Sequence, residues 1–203
     1  MPRLAEAMQS LSEIHAHLAR GEVYQGITAR PVLLSGILGL VAASIQNQLL
    51  PEVDARLFIY YWLTVAAACA VAGIAPVAFT YLTVDDSLAR RRTRIVAGQF
   101  IPCLIAGATV TLALLPVISQ MVGLLPGIWS VLYGLGLFST RPYLPRATGW
   151  VALYFVLVGS LLIALMPVAS VPSPWIVALI FAGGQAGLAS VLHRNKLREN
   201  NLG

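Results

Sequence analysis

The stretch Val84–Arg94, VDDSLARRRTR, decides how the rest of this chain is read. It holds Asp85 and Asp86, then Arg90, Arg91, Arg92 and Arg94, between two long apolar runs. Those runs, near 58–82 and 95–115, each approach the roughly 20 residues a helix needs to cross a hydrocarbon core. A charged turn between two such runs is expected to be the tip of a membrane hairpin. Its arginines are expected to face the cytoplasm, where loops of membrane proteins collect Lys and Arg.

Composition agrees with that reading. Of 203 residues, 58% are hydrophobic and 10% are charged, whereas about a quarter of a soluble domain is charged. The net charge of +5 raises the question of nucleic acid. The basic residues fall between apolar runs, however, and no soluble domain is left to hold a nucleic-acid ligand, so none is expected. Cys69 and Cys103 both lie inside apolar runs and read as reduced core residues rather than a disulfide.

Taken in order, residues 1–26 form a polar segment in which Leu4, Met8, Leu11, Ile14 and Leu18 recur at helical spacing. An amphipathic cytoplasmic helix is expected there. Ser10 and Glu13 fit a capping box, and Gly21 fits a helix end. Mixed charges on its polar face favour docking on the protein itself over anchoring to anionic lipid. His15 and His17 are two apart, which puts them on different faces and argues against a shared metal.

The transmembrane domain is expected to span 27–193, with a polar cytoplasmic tail at 194–203 that frays. Its six spans lie near 31–50, 58–82, 95–115, 121–138, 149–166 and 174–192. A secretory signal competes for the first run, but a polar lead of this length does not suit an n-region, and an uncleaved span is preferred. Gln46, Asn47 and Gln48 mark the exit from hydrocarbon. Tyr60, Tyr61 and Trp62 read as an aromatic belt. The small-residue run AAACAVAG at 66–73 suits close helix packing. Pro76 and Pro102 fall at similar depth in consecutive spans, each freeing one carbonyl, of Ala72 and of Gly98. The fold class expected is therefore an all-α membrane protein: a six-helix transmembrane bundle with an N-terminal amphipathic cytoplasmic helix.

Of the 13 Lys and Arg, all but Arg56 then fall on one side. This asymmetry predicts a multi-pass membrane protein with both termini in the cytoplasm. A weak repeat accompanies it, since three spans end in Leu49-Leu50-Pro51, Leu114-Leu115-Pro116 and Leu165-Met166-Pro167. Duplicated hairpins would explain that pattern, and so would the common placing of proline just past a helix end.

Chemistry is sparse. No Asp, Glu, Lys, Arg or His falls within the core of a span, so proton relays and ion coupling have no visible groups. No catalytic motif, haem-ligand pair or metal set is present, and no cofactor is expected. His193 reads as a residue at the end of the last span, near its final carbonyls. Gln185 stands out within Gly183-Gly184-Gln185-Ala186-Gly187. Gly183 and Gly187 share one helix face and invite close approach of a neighbour, while Gln185 is offset by about 200°. These three residues are the candidate ligand or helix contact. Arg90, Arg91, Arg92 and Arg94 are the candidate cytoplasmic contact.

Arg30 followed by PVLLSG, Ile101-Pro102 with Gly107, Tyr133-Gly134-Leu135-Gly136-Leu137 and Thr148-Gly149 together resemble an uncharacterised family of bacterial six-span membrane proteins. Its members are often encoded beside a small winged-helix transcriptional regulator. The resemblance implies the six-span fold and a regulatory setting, and supplies no activity. Several relatives carry a glutamate within the fifth span, and the corresponding helix here, GWVALYFVLVGSLLIALM, has no carboxylate. The function expected is non-enzymatic: a sensor, scaffold or regulatory partner in the lipid bilayer, meeting a cytoplasmic protein. The alternative is a small carrier or channel for a neutral or lipid-like solute.

Overall fold

The computed structural model describes residues 28–50, 52–83 and 87–201. The amphipathic helix expected at 1–26 lies outside them. Among the described residues there are helices and no strands. The long helices are α1 (Ala29–Leu49), α2 (Ala55–Thr83), α3 (Ser87–Leu114), α4 (Leu125–Thr140), α5 (Thr148–Leu165) and α6 (Pro174–Asn200). Five helical stretches are long and apolar enough to cross a membrane. One of these, Arg90–Tyr143, runs through α3 and α4 together. The link between those two is itself helical: 3-10 turns at Leu115–Val117 and Val122–Leu124 flank one α turn at Ile118–Met121.

Helix ends follow local chemistry. Pro31 sits in the first turn of α1, where a missing N–H removes no ladder bond. The Asp54 carboxylate accepts the Leu57 N–H at 2.7 Å, capping the start of α2. Pro116, Pro126 and Pro142 each stand at the first or second position of a new helical segment. Two boundaries differ from the sequence reading. The arginine stretch is the opening of α3 rather than a loop, because α3 begins at Ser87; Leu and Arg are good helix formers. The tail is helical to Asn200 instead of fraying, and Arg194, Lys196 and Arg198 there suit the negative end of a helix dipole. His193 therefore lies well before the last turn.

Neighbouring helices run antiparallel. On α1 and α2, Ser35 meets Cys69 and Ala42 meets Tyr61. On α4 and α5, Gly127 meets Gly159 while Gly134 meets Ala152. The most extensive pairings are α4 with α5 and α1 with α6.

The surface is that of a protein whose solvent is apolar. Val71, Phe79, Leu82, Leu165 and Trp150 are two-thirds or more exposed. The interior holds Phe58, Ile59, Leu125 and Phe155, and among them the polar Gln46, Thr111, Ser130, Thr140, Thr148 and Gln185. Helices turn polar groups inward in this way when lipid accommodates apolar ones as well as the core does. The buried face of α1 is Gly36, Gly39, Ala42, Ala43 and Gln46, so Gln46 points inward near the end of the helix, where Asn47 and Gln48 are exposed. The aromatic trio also divides, since residues 100° apart cannot share one face. Tyr60 is exposed, Trp62 is buried against Phe58, and Tyr61 donates its hydroxyl to the Ala42 carbonyl.

Close backbone approach occurs where α4 crosses α5. A Cβ on Gly127 would stand 2.7 Å from the Gly159 carbonyl oxygen, and a Cβ on Gly159 would stand 2.7 Å from that of Gly127. Between them Ser130 donates its hydroxyl to the Phe155 carbonyl at 2.7 Å. The small-residue run of α2 does not play this part. Ala66, Ala67 and Ala68 are exposed, and a Cβ on Gly73 would meet nothing within 4 Å.

Candidate functional site

A polar and aromatic cluster lies midway along the bundle, centred on Tyr133 of α4. Its ring contacts Phe155 of α5 with centroids 4.8 Å apart, Phe100 of α3 at 5.3 Å and Phe181 of α6 at 5.7 Å. The Phe100 and Phe181 contacts are edge-on, the arrangement that aromatic quadrupoles favour. The Tyr133 hydroxyl accepts a hydrogen bond from Gln185 Nε2 at 2.8 Å. In a medium without water such a pair supplies specificity, because neither group has another partner to turn to.

A further helix closes the cluster. Gly36 of α1 lies against Gln185, whose Cβ is 3.2 Å from where a Cβ on Gly36 would be. Cys69 of α2 donates its thiol to the carbonyl of the neighbouring Ser35 on α1 at 3.6 Å. Gln185 is 7% exposed and its Oε1 has no partner, so the amide keeps one free acceptor in the interior. Buried acceptors normally find a partner.

The candidate residues of α6 separate into two faces. Gln185 faces α1 and α4. Gly183 and Gly187 face α5: a Cβ on Gly183 would be 3.0 Å from the Tyr154 hydroxyl, and one on Gly187 would be 3.6 Å from Val151 Cγ2. The tightest position lies between them. A Cβ on Gly184 would overlap the Phe155 ring at 2.0 Å. Periodicity did not single out Gly184, because its constraint is the tip of an aromatic ring on another helix. In the sequence Tyr133 stands out only as the first residue of the Tyr133-Gly134-Leu135-Gly136-Leu137 run.

The four arginines form the second candidate region. They occupy the first turns of α3 and fold back on the end of α2. Arg90 donates from Nε to the Tyr81 carbonyl at 3.0 Å and lies over the Tyr81 ring at 5.8 Å. Arg94 donates to the Tyr81 hydroxyl at 3.2 Å. Both contacts close the hairpin with charge-assisted bonds. Arg91 is exposed and Arg92 is half-buried. Because neighbouring helices are antiparallel, this end of the bundle also carries Arg30, Arg141, Arg146, Arg194, Lys196 and Arg198. Arg56 stands at the opposite end with Glu52 and Asp54.

Among the described residues, no three His, Cys, Asp or Glu side chains come together as a metal site would require. Cys69 and Cys103 are free thiols. Comparison with known protein families, with curated proteins and with solved structures finds no match for this chain.

Proposed function

We propose that this is a six-span protein of the bacterial inner membrane, both termini cytoplasmic, that works without catalysis as a regulatory or scaffolding partner at its basic face. The observation behind this reading is the segregation of charge. One end of the bundle collects ten of the described Lys and Arg residues, among them Arg90, Arg91, Arg92 and Arg94, and the other has Arg56. Such segregation orients the chain and leaves a cationic surface that attracts an acidic protein or anionic headgroups at the cytoplasmic side. α3 and α4 count as separate spans in this proposal because they pack antiparallel through the helical link at 115–124. Kinship with the uncharacterised six-span family, and a setting beside a winged-helix regulator, belong to the same proposal.

The alternative, a carrier for a neutral or lipid-like solute, draws on the free Gln185 acceptor midway along the bundle. One pair of measurements separates the two. A photo-crosslinker at position 91 in membranes should capture a cytoplasmic protein, and Arg90→Gln with Arg92→Gln should weaken that capture. Proteoliposomes should take up neutral solutes no faster than empty liposomes. Uptake abolished by Gln185→Leu, with no crosslink at position 91, would instead establish the carrier.

A further inference from the structure

Three connections meet at the end of the bundle opposite the arginines, and two of them avoid charge. The turn between α1 and α2 carries Glu52, Asp54 and Arg56, with Glu52 exposed. The α3–α4 link at 115–124 and the α5–α6 loop at 166–173 hold no charged residue and no histidine. They expose Val117, Met121, Val168 and Val171 instead. This apolar surface runs on to Leu165 at the end of α5, which is 71% exposed and belongs to the lipid-facing side of the bundle.

The backbone of the two connections is suited to a place without water. Every residue from Leu115 to Leu124 lies in an α or 3-10 turn, so the link bonds largely to itself. The Gly123 N–H donates to the Val168 carbonyl at 2.9 Å, and that of Ser170 donates to the Pro167 carbonyl at 3.3 Å. Pro116, Pro167 and Pro172 have no N–H to leave unpaired. Backbone at hydrocarbon depth must be satisfied within the protein, whereas backbone in water need not be.

Helix length supplies the depth. At about 1.5 Å per residue, the 16 residues of α4 and the 18 of α5 reach about 24 and 27 Å, short of the roughly 30 Å of a hydrocarbon core. α2, α3 and α6, with 29, 28 and 27 residues, exceed it. Arg141 follows α4 and Arg146 precedes α5, which fixes their arginine ends at the boundary with water. Their opposite ends then stop before the far boundary.

We propose that the α3–α4 link and the α5–α6 loop form a lipid-contact surface, sunk into the leaflet opposite the arginines. Val117, Met121 and Val168 lie among acyl chains, and Ser119 faces headgroups and water. Ser119 is offset from Val117 by about 200° on a helix, so a single turn presents both faces. The inference rests on the six spans proposed above, and needs neither their direction nor a partner at the basic face.

The test uses the full-length chain in proteoliposomes, with Cys69 and Cys103 replaced and a nitroxide on one introduced cysteine. The labelled positions are Val117, Met121, Val168, Ser119 and, as a mid-span reference, Leu157. All five are exposed, so the label displaces no core contact. Power saturation compares collision with oxygen, which concentrates in hydrocarbon, against collision with a water-soluble nickel chelate. Val117, Met121 and Val168 should resemble Leu157, with an oxygen-to-nickel ratio severalfold above that of Ser119. Ratios at those three positions as low as at Ser119, with Leu157 still in hydrocarbon, would overturn this proposal alone. A low ratio at Leu157 as well would overturn the six spans with it. Little collision with either reagent at the three positions would mean that protein rather than lipid covers the face, and would overturn the proposal too.

Discussion

Gly127 and Gly159 hold each other's backbone: a Cβ added to either would come within 2.7 Å of the other's carbonyl oxygen. Gly159→Ala should therefore force α4 and α5 apart and destabilise the bundle by about 1–3 kcal/mol, the usual cost of overpacking. Gly73→Ala, where the added methyl meets nothing within 4 Å, should be neutral or stabilise by about 0.5–1 kcal/mol through its better helix propensity. Thermal unfolding in detergent measures both. Equal loss of stability at the two positions would show that the α4–α5 contact is not the tight one.

On α6 the order of sensitivity is set by what each glycine faces. Gly184→Ala would drive its methyl into the Phe155 ring, 2.0 Å from Cζ, and should cost about 1–3 kcal/mol. Gly187→Ala, with Val151 Cγ2 at 3.6 Å, should be tolerated, and Gly187→Leu should overpack against α5. A bundle that tolerates Gly184→Ala and unfolds with Gly187→Ala would reverse the assignment of these faces.

The Gln185–Tyr133 hydrogen bond joins α6 to α4. A double-mutant cycle with Gln185→Leu and Tyr133→Phe should give a coupling of about 0.6 kcal/mol, the average for such bonds between membrane helices. Gln185→Leu alone should be mild, because it also removes the unpartnered Oε1. A coupling indistinguishable from zero would mean that the pair does not form in the membrane.

Topology can be read by labelling in a variant lacking Cys69 and Cys103. Ser119, Ser170 and Ala147 are all exposed. Cysteines at the first two positions should react with an impermeant reagent added outside the cell. A cysteine at Ala147, at the arginine end, should react only after lysis. Labelling of position 147 in intact cells would invert the proposed orientation.

Much of this protein follows from its one-dimensional pattern. Stretches that are apolar for a bilayer's depth, with turns of opposite charge character at alternate boundaries, require only composition counted along the chain. A helix satisfies its backbone within its own segment, so length and hydropathy are enough to identify it. The clustering of basic residues near 84–94 likewise needs no neighbour to be seen. That the arginines open a helix instead of forming a loop was less legible, since Asp85 and Asp86 read as a turn while the residues after them are good helix formers.

Which face of each helix turns inward was decided by tertiary structure. In a soluble bundle an apolar stripe points to the core. Here lipid is as apolar as the core, so large side chains such as Val71 and Phe79 are content outside while Phe58 and Phe155 are buried, and hydropathy alone does not say which. Gln46 therefore turns inward at the end of α1 where its neighbours Asn47 and Gln48 are exposed, and within the small-residue run of α2 Ala66, Ala67 and Ala68 are exposed while Cys69 meets Ser35 of α1. The pairing of Gln185 with Tyr133 spans 52 positions of sequence. It exists because α4 and α6 are folded against a common centre, and no local spacing carries that information.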